Sequence, residues 1–177
     1  KFSKQGGIYE TTQKITIDTS GGYTVYYTLD GSKPSSGATK YKSEITLEKP
    51  TVVRAVFYKG GIPVETITQS YIIGRKFNMA VVSIAIEQDD FFSYDRGIYV
   101  KGCCADTVPP YRGANFWKGW ERQINIELYE PDNTLAINQG AGIRVFGGFS
   151  KGLPMKSLAI IAKSKYGPTK FEYPIFP

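Results

Sequence analysis

The chain reads as mainly β: an immunoglobulin-like β-sandwich followed by a second small β-rich region. Two observations predict this. From Ile15 to Ile73, apolar and polar residues alternate in short stretches divided by turn residues, with no helical repeat among them. Aromatics make up 14% of the 177 residues and Gly occurs 19 times, a mix that favours strands and turns over helices.

The first strands are expected at Ile15 to Ile17, Tyr23 to Leu29, Glu44 to Leu47, Thr51 to Phe57 and Val64 to Ile73. Asp30-Gly31 carries short-turn chemistry, and the following Ser32 to Gly37 stretch implies a longer loop. Five short strands in this space suggest a small sandwich over residues 1–74. The composition changes at Gly74-Arg75-Lys76, so residues 75–177 form the second part. Met79 to Ile86 reads as a strand buried on both faces. A short strand is expected at Gly97 to Val100, then a Gly, Pro and Cys-rich loop from Lys101 to Gly113. A helical turn or tight loop follows at Asn115 to Trp120, an alternating strand at Gln123 to Tyr129, a turn at Pro131 to Asn133, and strands at Gly142 to Phe146 and Ser157 to Ala162.

Composition excludes several kinds of chemistry. The sequence contains no His, so Ser-His-Asp and Cys-His nucleophile activation and His-ligated zinc are removed. Two Cys cannot complete a tetrahedral zinc site. Cys103 and Cys104 are neighbours, and a disulfide between them closes a strained ring, so they read as free or externally paired thiols. Asp89, Asp90 and Asp95 lack the oxygen-rich spacing of a calcium loop and read as a polar turn between strands. No metal site is expected. The longest apolar runs, Met79 to Val82 and Leu158 to Ala162, fall short of the roughly 18 residues that span a bilayer, so no membrane span is expected in this segment.

Charge is unevenly spread: residues 140–177 hold 6 basic groups and 1 acidic one, against a net charge of +6 for the whole chain. This is either a local anion-binding surface or a solvated basic face. Nucleic acid is not an expected partner, because the aromatics do not interleave with basic residues in a binding motif. The stretch from Gly142 to Ser157 places Arg144, Ser150, Lys151 and Lys156 around a turn containing Gly147, Gly148 and Gly152. Glycines let a backbone approach a ligand closely, and amides with ammonium groups can cradle phosphate; an ordinary β-hairpin is the other reading. The spacing fits neither the Walker loop nor the kinase glycine loop. Trp117 and Trp120, three apart, either stack on a sugar ring or plug a core.

Two family resemblances cover nearly the whole chain. Gly-Gly-Ile-Tyr9, Val-Tyr-Tyr-Thr-Leu-Asp-Gly-Ser32, Thr-Val-Val-Arg-Ala55 and Ser-Tyr71 resemble the β-sandwich module appended to chitobiases and β-hexosaminidases, also described as fibronectin-III-associated. Such modules imply an accessory or spacer role on bacterial surface and secreted proteins, with no catalytic residues. From about Ala80 onward the chain resembles the beginning of the spore-coat protein H family, whose members are atypical protein kinases. The matching strings are Val-Val-Ser83, Gly-Ile-Tyr-Val100, Phe-Trp-Lys-Gly-Trp-Glu-Arg122, Ile-Glu-Leu-Tyr-Glu-Pro-Asp132, Gly-Ile-Arg-Val-Phe-Gly-Gly148, Pro-Met-Lys-Ser-Leu158, Lys-Tyr-Gly167 and Phe-Glu-Tyr-Pro-Ile-Phe-Pro177. This resemblance implies a truncated kinase-like N-lobe in which Arg144, Gly147, Gly148, Ser150, Lys151 and Lys156 face phosphate.

In that family the acidic residues that hold metal lie downstream of this stretch, so no catalytic residue is assigned. The chain begins at Lys1 without Met and reads as a piece of a longer, exported bacterial surface protein. No activity or cofactor is expected of the piece itself; ATP and magnesium are expected only with the missing C-terminal portion of the same chain. The competing reading is a carbohydrate-binding or adhesive module, with a cell-surface protein or glycan as partner and Trp117 and Trp120 as stacking residues. A plain interdomain spacer is a third.

Overall fold

A computed structural model describes residues 1–174 of the chain. Residues 175–177, the end of the second resemblance, lie outside the described residues. The chain divides into two compact units, one formed by 1–85 with 127–138 and the other by 86–126 with 139–177.

In the first unit the strands are β1 (Gly7–Tyr9), β2 (Gln13–Ile15), β3 (Thr24–Thr28), β4 (Thr39–Lys40), β5 (Ile45–Leu47), β6 (Thr51–Lys59) and β7 (Ile62–Ile73). One sheet runs in the order β1-β7-β6-β3-β4, and β2 pairs with β5 in a second. β6 pairs antiparallel with β3 and with β7, and the first strand joins β7 in parallel, Gly7 opposite Tyr71. The two-residue period explains the layers. Ile15, Ile45 and Leu47 on the small sheet and Val25, Val53, Ala55 and Phe57 on the large one are buried together, with Tyr71 and Ile73 closing the core. The mainly β sandwich expected from sequence is therefore what forms. β3 and β4 pair antiparallel, joined through the longer loop that the Ser-Lys-Pro-Ser-Ser-Gly segment implies.

The remaining strands are β8 (Val81–Ile86), β9 (Arg122–Tyr129), β10 (Leu135–Phe146) and β11 (Ser157–Ile161), with one short helix, α1 (Gln88–Phe92), and single 3₁₀ turns at Asn115–Trp117 and Phe149–Gly152. Their sheet runs β11-β10-β9-β8. Three local expectations are corrected. β8 is not buried on both faces: it is an edge strand in which Ala85 is buried and Val82 is 52% exposed. Residues Gly97 to Val100 form a turn, because the Ile98 and Tyr99 amides donate to the Asp90 and Phe91 carbonyls rather than to a neighbouring strand. The polar turn at Asp89-Asp90 is the helix α1, closed where Ser93 N–H donates to Asp89.

A buried carboxyl ties the 127–138 hairpin into the first unit. Glu127, 1% exposed on β9, accepts from the Ser70 amide at 3.2 Å and its hydroxyl at 2.5 Å, from Tyr129 Oη at 2.8 Å and from Asn138 Nδ2 at 3.4 Å. Ser70 Oγ also meets Ser83 Oγ at 2.7 Å, and Asn138 Nδ2 reaches the Thr68 carbonyl. The glycines before β1 permit a close approach: a Cβ on Gly6 would lie 2.7 Å from Tyr129 Oη, and one on Gly7 would lie 2.9 Å from Asn133 Oδ1. Asn133, in the left-handed region at φ 71°, accepts from the Ile8 amide at 2.6 Å.

Burial pushes the Glu127 carboxyl above its ordinary value of 4.5, against the pull of its Ser70 and Tyr129 hydrogen bonds. Such an acid keeps its proton in the folded state at pH values where the unfolded chain has lost it. Its contribution to stability is complete below about pH 4.5 and is lost as pH rises through the raised value. Glu127→Gln, whose amide can donate to Ser70 Oγ, removes that dependence. Urea denaturation should show Glu127→Gln gaining stability on wild type as pH rises from 4.5 to 8; parallel pH profiles of the two proteins would refute the assignment.

Candidate functional site

The glycine-containing stretch forms the end of an antiparallel hairpin, Phe146 on β10 standing opposite Ser157 on β11. β10 buries Ile143 and Val145 and turns Arg144 outward, as the strand period requires. Gly147 takes φ 115°, a conformation L side chains rarely adopt, and Ser150 Oγ lies 2.4 Å from where its Cβ would stand. At Gly148 nothing lies within 4 Å of a Cβ, so the backbone there is open to approach.

The middle of the loop is fixed. Gly152 packs against Pro110, with 2.7 Å between a Cβ position and Pro110 Cα, and Trp117 Nε1 donates to the Pro110 carbonyl at 2.8 Å. Lys151 lies 4.9 Å from the centre of the Trp117 ring.

The structure sorts the six expected phosphate-facing residues into two places. Arg144, Gly147, Gly148 and Lys151 line one cavity of about 490 Å³, together with Gly119. Lys156 lines another, of about 430 Å³, with Tyr99, Lys101, Tyr111 and Phe116. Ser150 lies beside Gly147. The Lys156 ammonium donates to the Leu153 carbonyl at 2.7 Å and sits 4.4 Å from the centre of the Phe116 ring. Burial, and secondarily the Lys101 ammonium, push its pKa below the usual lysine range. Tyr99 holds this end of the loop: its hydroxyl accepts from the Lys156 amide at 3.0 Å and donates to Pro154 O at 3.4 Å. Tyr99, Lys101 and Tyr111 come from the long stretch between α1 and the Asn115 turn and Gly119 from just after that turn, so no spacing within the Gly142–Ser157 stretch announces them.

The first cavity is lined by two cations, by glycines of which Gly148 is open to approach, and by no carboxylate. That donor set fits phosphate oxygens and offers magnesium no ligand of its own. Trp117 and Trp120 are both half-buried. Arg112 and Lys151 lie 5.3 and 4.9 Å from the Trp117 ring, and Lys118 and Arg122 lie 4.5 and 5.0 Å from the Trp120 ring. Asp89 and Asp90 face arginines: Arg96 reaches them at 3.6 and 3.4 Å, and Arg122 reaches Asp90 at 3.8 Å. Among the described residues, no three carboxylates or thiols gather as a metal-ligating group.

The reading of Cys103 and Cys104 as free or externally paired thiols is corrected: they form a disulfide with each other. Their Cα atoms stand 3.8 Å apart, the spacing of a trans peptide, and the ring closes within an exposed turn after Gly102, whose φ is 67°.

The first unit belongs to the class of small immunoglobulin-like β-sandwich modules. Residues 4–69 match the family model described as the Chitobiase/beta-hexosaminidase C-terminal domain. Comparison with curated proteins and with solved structures returns no match. No helix among the described residues is long and apolar enough to cross a membrane.

The two adjacent glycines make opposite predictions. Gly147→Ala should lower stability by about 1–2 kcal/mol, from the left-handed backbone and the crowding by Ser150. Gly148→Ala should stay within about 0.5 kcal/mol in the same urea titration. Mass spectrometry after alkylation should find Cys103 and Cys104 both modified only when a reductant comes first.

Proposed function

We propose that this chain is a non-catalytic part of an exported bacterial surface protein. In this reading, a chitobiase C-terminal-type sandwich precedes the front of a spore-coat protein H type, kinase-like domain. Its chemical role is to hold nucleotide phosphate groups at the β10–β11 hairpin. The observation that carries the reading is the cavity lined by Arg144, Lys151 and the Gly147-Gly148 backbone, open at Gly148, without a carboxylate. Phosphoryl transfer depends mostly on positioning and on stabilising charge, and donors of this kind supply part of both. Magnesium would reach the site through the phosphates of ATP, and its protein ligands would come from the remainder of the domain. Lys156 lines a separate cavity, together with Lys101.

Stacking of Trp117 and Trp120 on a glycan is the weaker reading, because each ring already carries two cations and is half-buried. The match of residues 4–69 supports an accessory role and an extracellular or cell-surface location without naming a ligand.

Calorimetric titration of Mg-ATP into this chain and into a C-terminally extended one tests the proposal. Binding is expected from the longer chain, and Arg144→Ala or Lys151→Ala should weaken it about tenfold each, the worth of one charge-assisted hydrogen bond. No binding by either chain, or binding indifferent to these substitutions and to Lys156→Ala, would overturn it.

A further inference from the structure

Four large apolar side chains stand out of the β10–β11 loop: Phe146 is 58% exposed, Phe149 64%, Leu153 48% and Met155 85%. Apolar groups grouped this densely on a solvated loop mark an interaction surface rather than ordinary surface composition. Phosphate binding by Arg144 and Lys151 gives them nothing to do.

Their surroundings select the partner. Arg144, Lys151 and Lys156 alternate with them along the loop, and from Asn133 to Phe171 the sequence holds no Asp or Glu. The cation-lined cavities lie on the same loop as the apolar residues, one including Phe146, Gly148 and Lys151 and the other Leu153, Pro154 and Lys156. The loop is also preformed, fixed by Gly152 against Pro110 and by the Tyr99 contacts, so little ordering is required on binding. Exposed apolar side chains interspersed with cations match an anionic lipid surface in composition and charge. Apolar side chains enter the headgroup and acyl boundary by about 5–10 Å, while lysine and arginine heads remain at the level of the phosphates.

We propose that the tip of the β10–β11 hairpin docks on an anionic lipid surface. Phe146, Phe149, Leu153 and Met155 insert, and Arg144, Lys151 and Lys156 meet headgroup phosphates. The proposal goes beyond the phosphate reading, sharing its cations and adding the apolar residues. Neither signal suffices alone, since stable anchoring needs both apolar burial and charge.

Co-sedimentation of the chain with vesicles of phosphatidylcholine, alone or containing phosphatidylglycerol, tests it. Binding is expected on the anionic vesicles only and should fall with added salt. Joint replacement Phe149→Ser and Met155→Ser should weaken it by about tenfold or more. Arg144→Gln and Lys151→Gln should each weaken it about fivefold, and Ile62→Ser, an exposed change on β7, should leave it unchanged. Absence of vesicle binding, equal binding to neutral vesicles, or indifference to the Phe149 and Met155 changes would overturn the proposal. Mg-ATP binding by the extended chain without vesicle binding would overturn this inference and leave the nucleotide reading standing; the reverse pattern would separate them the other way.

Discussion

The Glu127 carboxyl is the constraint on which the packing of the first unit depends. A carboxyl group taken out of water must find donors, and an unsatisfied one costs more than most single contacts return. Here the donors are supplied by β7, β9 and β10, and by the Ser70 hydroxyl that in turn meets Ser83 on β8. The residue types at 70, 83, 129 and 138 follow from that requirement, as do Gly6 and Gly7, where a side chain would collide with the hairpin bearing the carboxyl. Tyr129 and Tyr71, both buried, have their hydroxyls held well above the usual tyrosine range, first by burial and further by negative charge nearby, that of Glu127 included. Each therefore remains a neutral donor. The cluster is a specifying element of the fold more than a source of net stability, since it positions four strands at the expense of desolvating one acid.

In the second unit charge is organised differently. Several of its acids are engaged locally: Asp89 by Arg96, Asp90 by Arg96 and Arg122, and Glu121 by the Lys163 ammonium and the Tyr166 hydroxyl, with the Lys163 hydrogen bond holding the Glu121 carboxyl below its usual range. The hairpin cations stand apart from these pairs: Lys151 faces an aromatic ring and Lys156 a carbonyl and two rings, and Arg144 points out from a strand. This separation leaves a positive surface beside an open glycine backbone, the basis of the proposed phosphate contact.

The sandwich was legible in the sequence because the alternation from Ile15 to Ile73 reports directly which face of each strand meets the core. The glycine hairpin was legible for the same reason, from Gly142 to Ile161. Other features were hidden by contacts made far along the chain. Ile98 is buried, yet its amide bonds back to α1, so apolar content alone suggested a strand that does not form. β8 looked doubly buried because its apolar run carries no mark of being at a sheet edge. Spacing grouped Lys156 with Arg144, while the path of the loop over Pro110 sends the two into different cavities. Glu127 read as one more polar position on an alternating strand, and only the convergence of four strands shows it to be buried. The Cα separation usual between distant bridged residues does not govern a ring closed across one peptide bond, so spacing alone conceals the pairing of Cys103 with Cys104.

The proposed phosphate contact places a ligand against the backbone of the β10–β11 hairpin, in the unit that follows the sandwich in sequence. The most direct measurement is the amide resonance shifts of Gly147, Gly148 and Lys151 in the C-terminally extended chain as Mg-ATP is added. The account predicts saturable shifts at these three positions with Ile8 undisturbed. Unmoved Gly147 and Gly148 resonances at saturating nucleotide would contradict it.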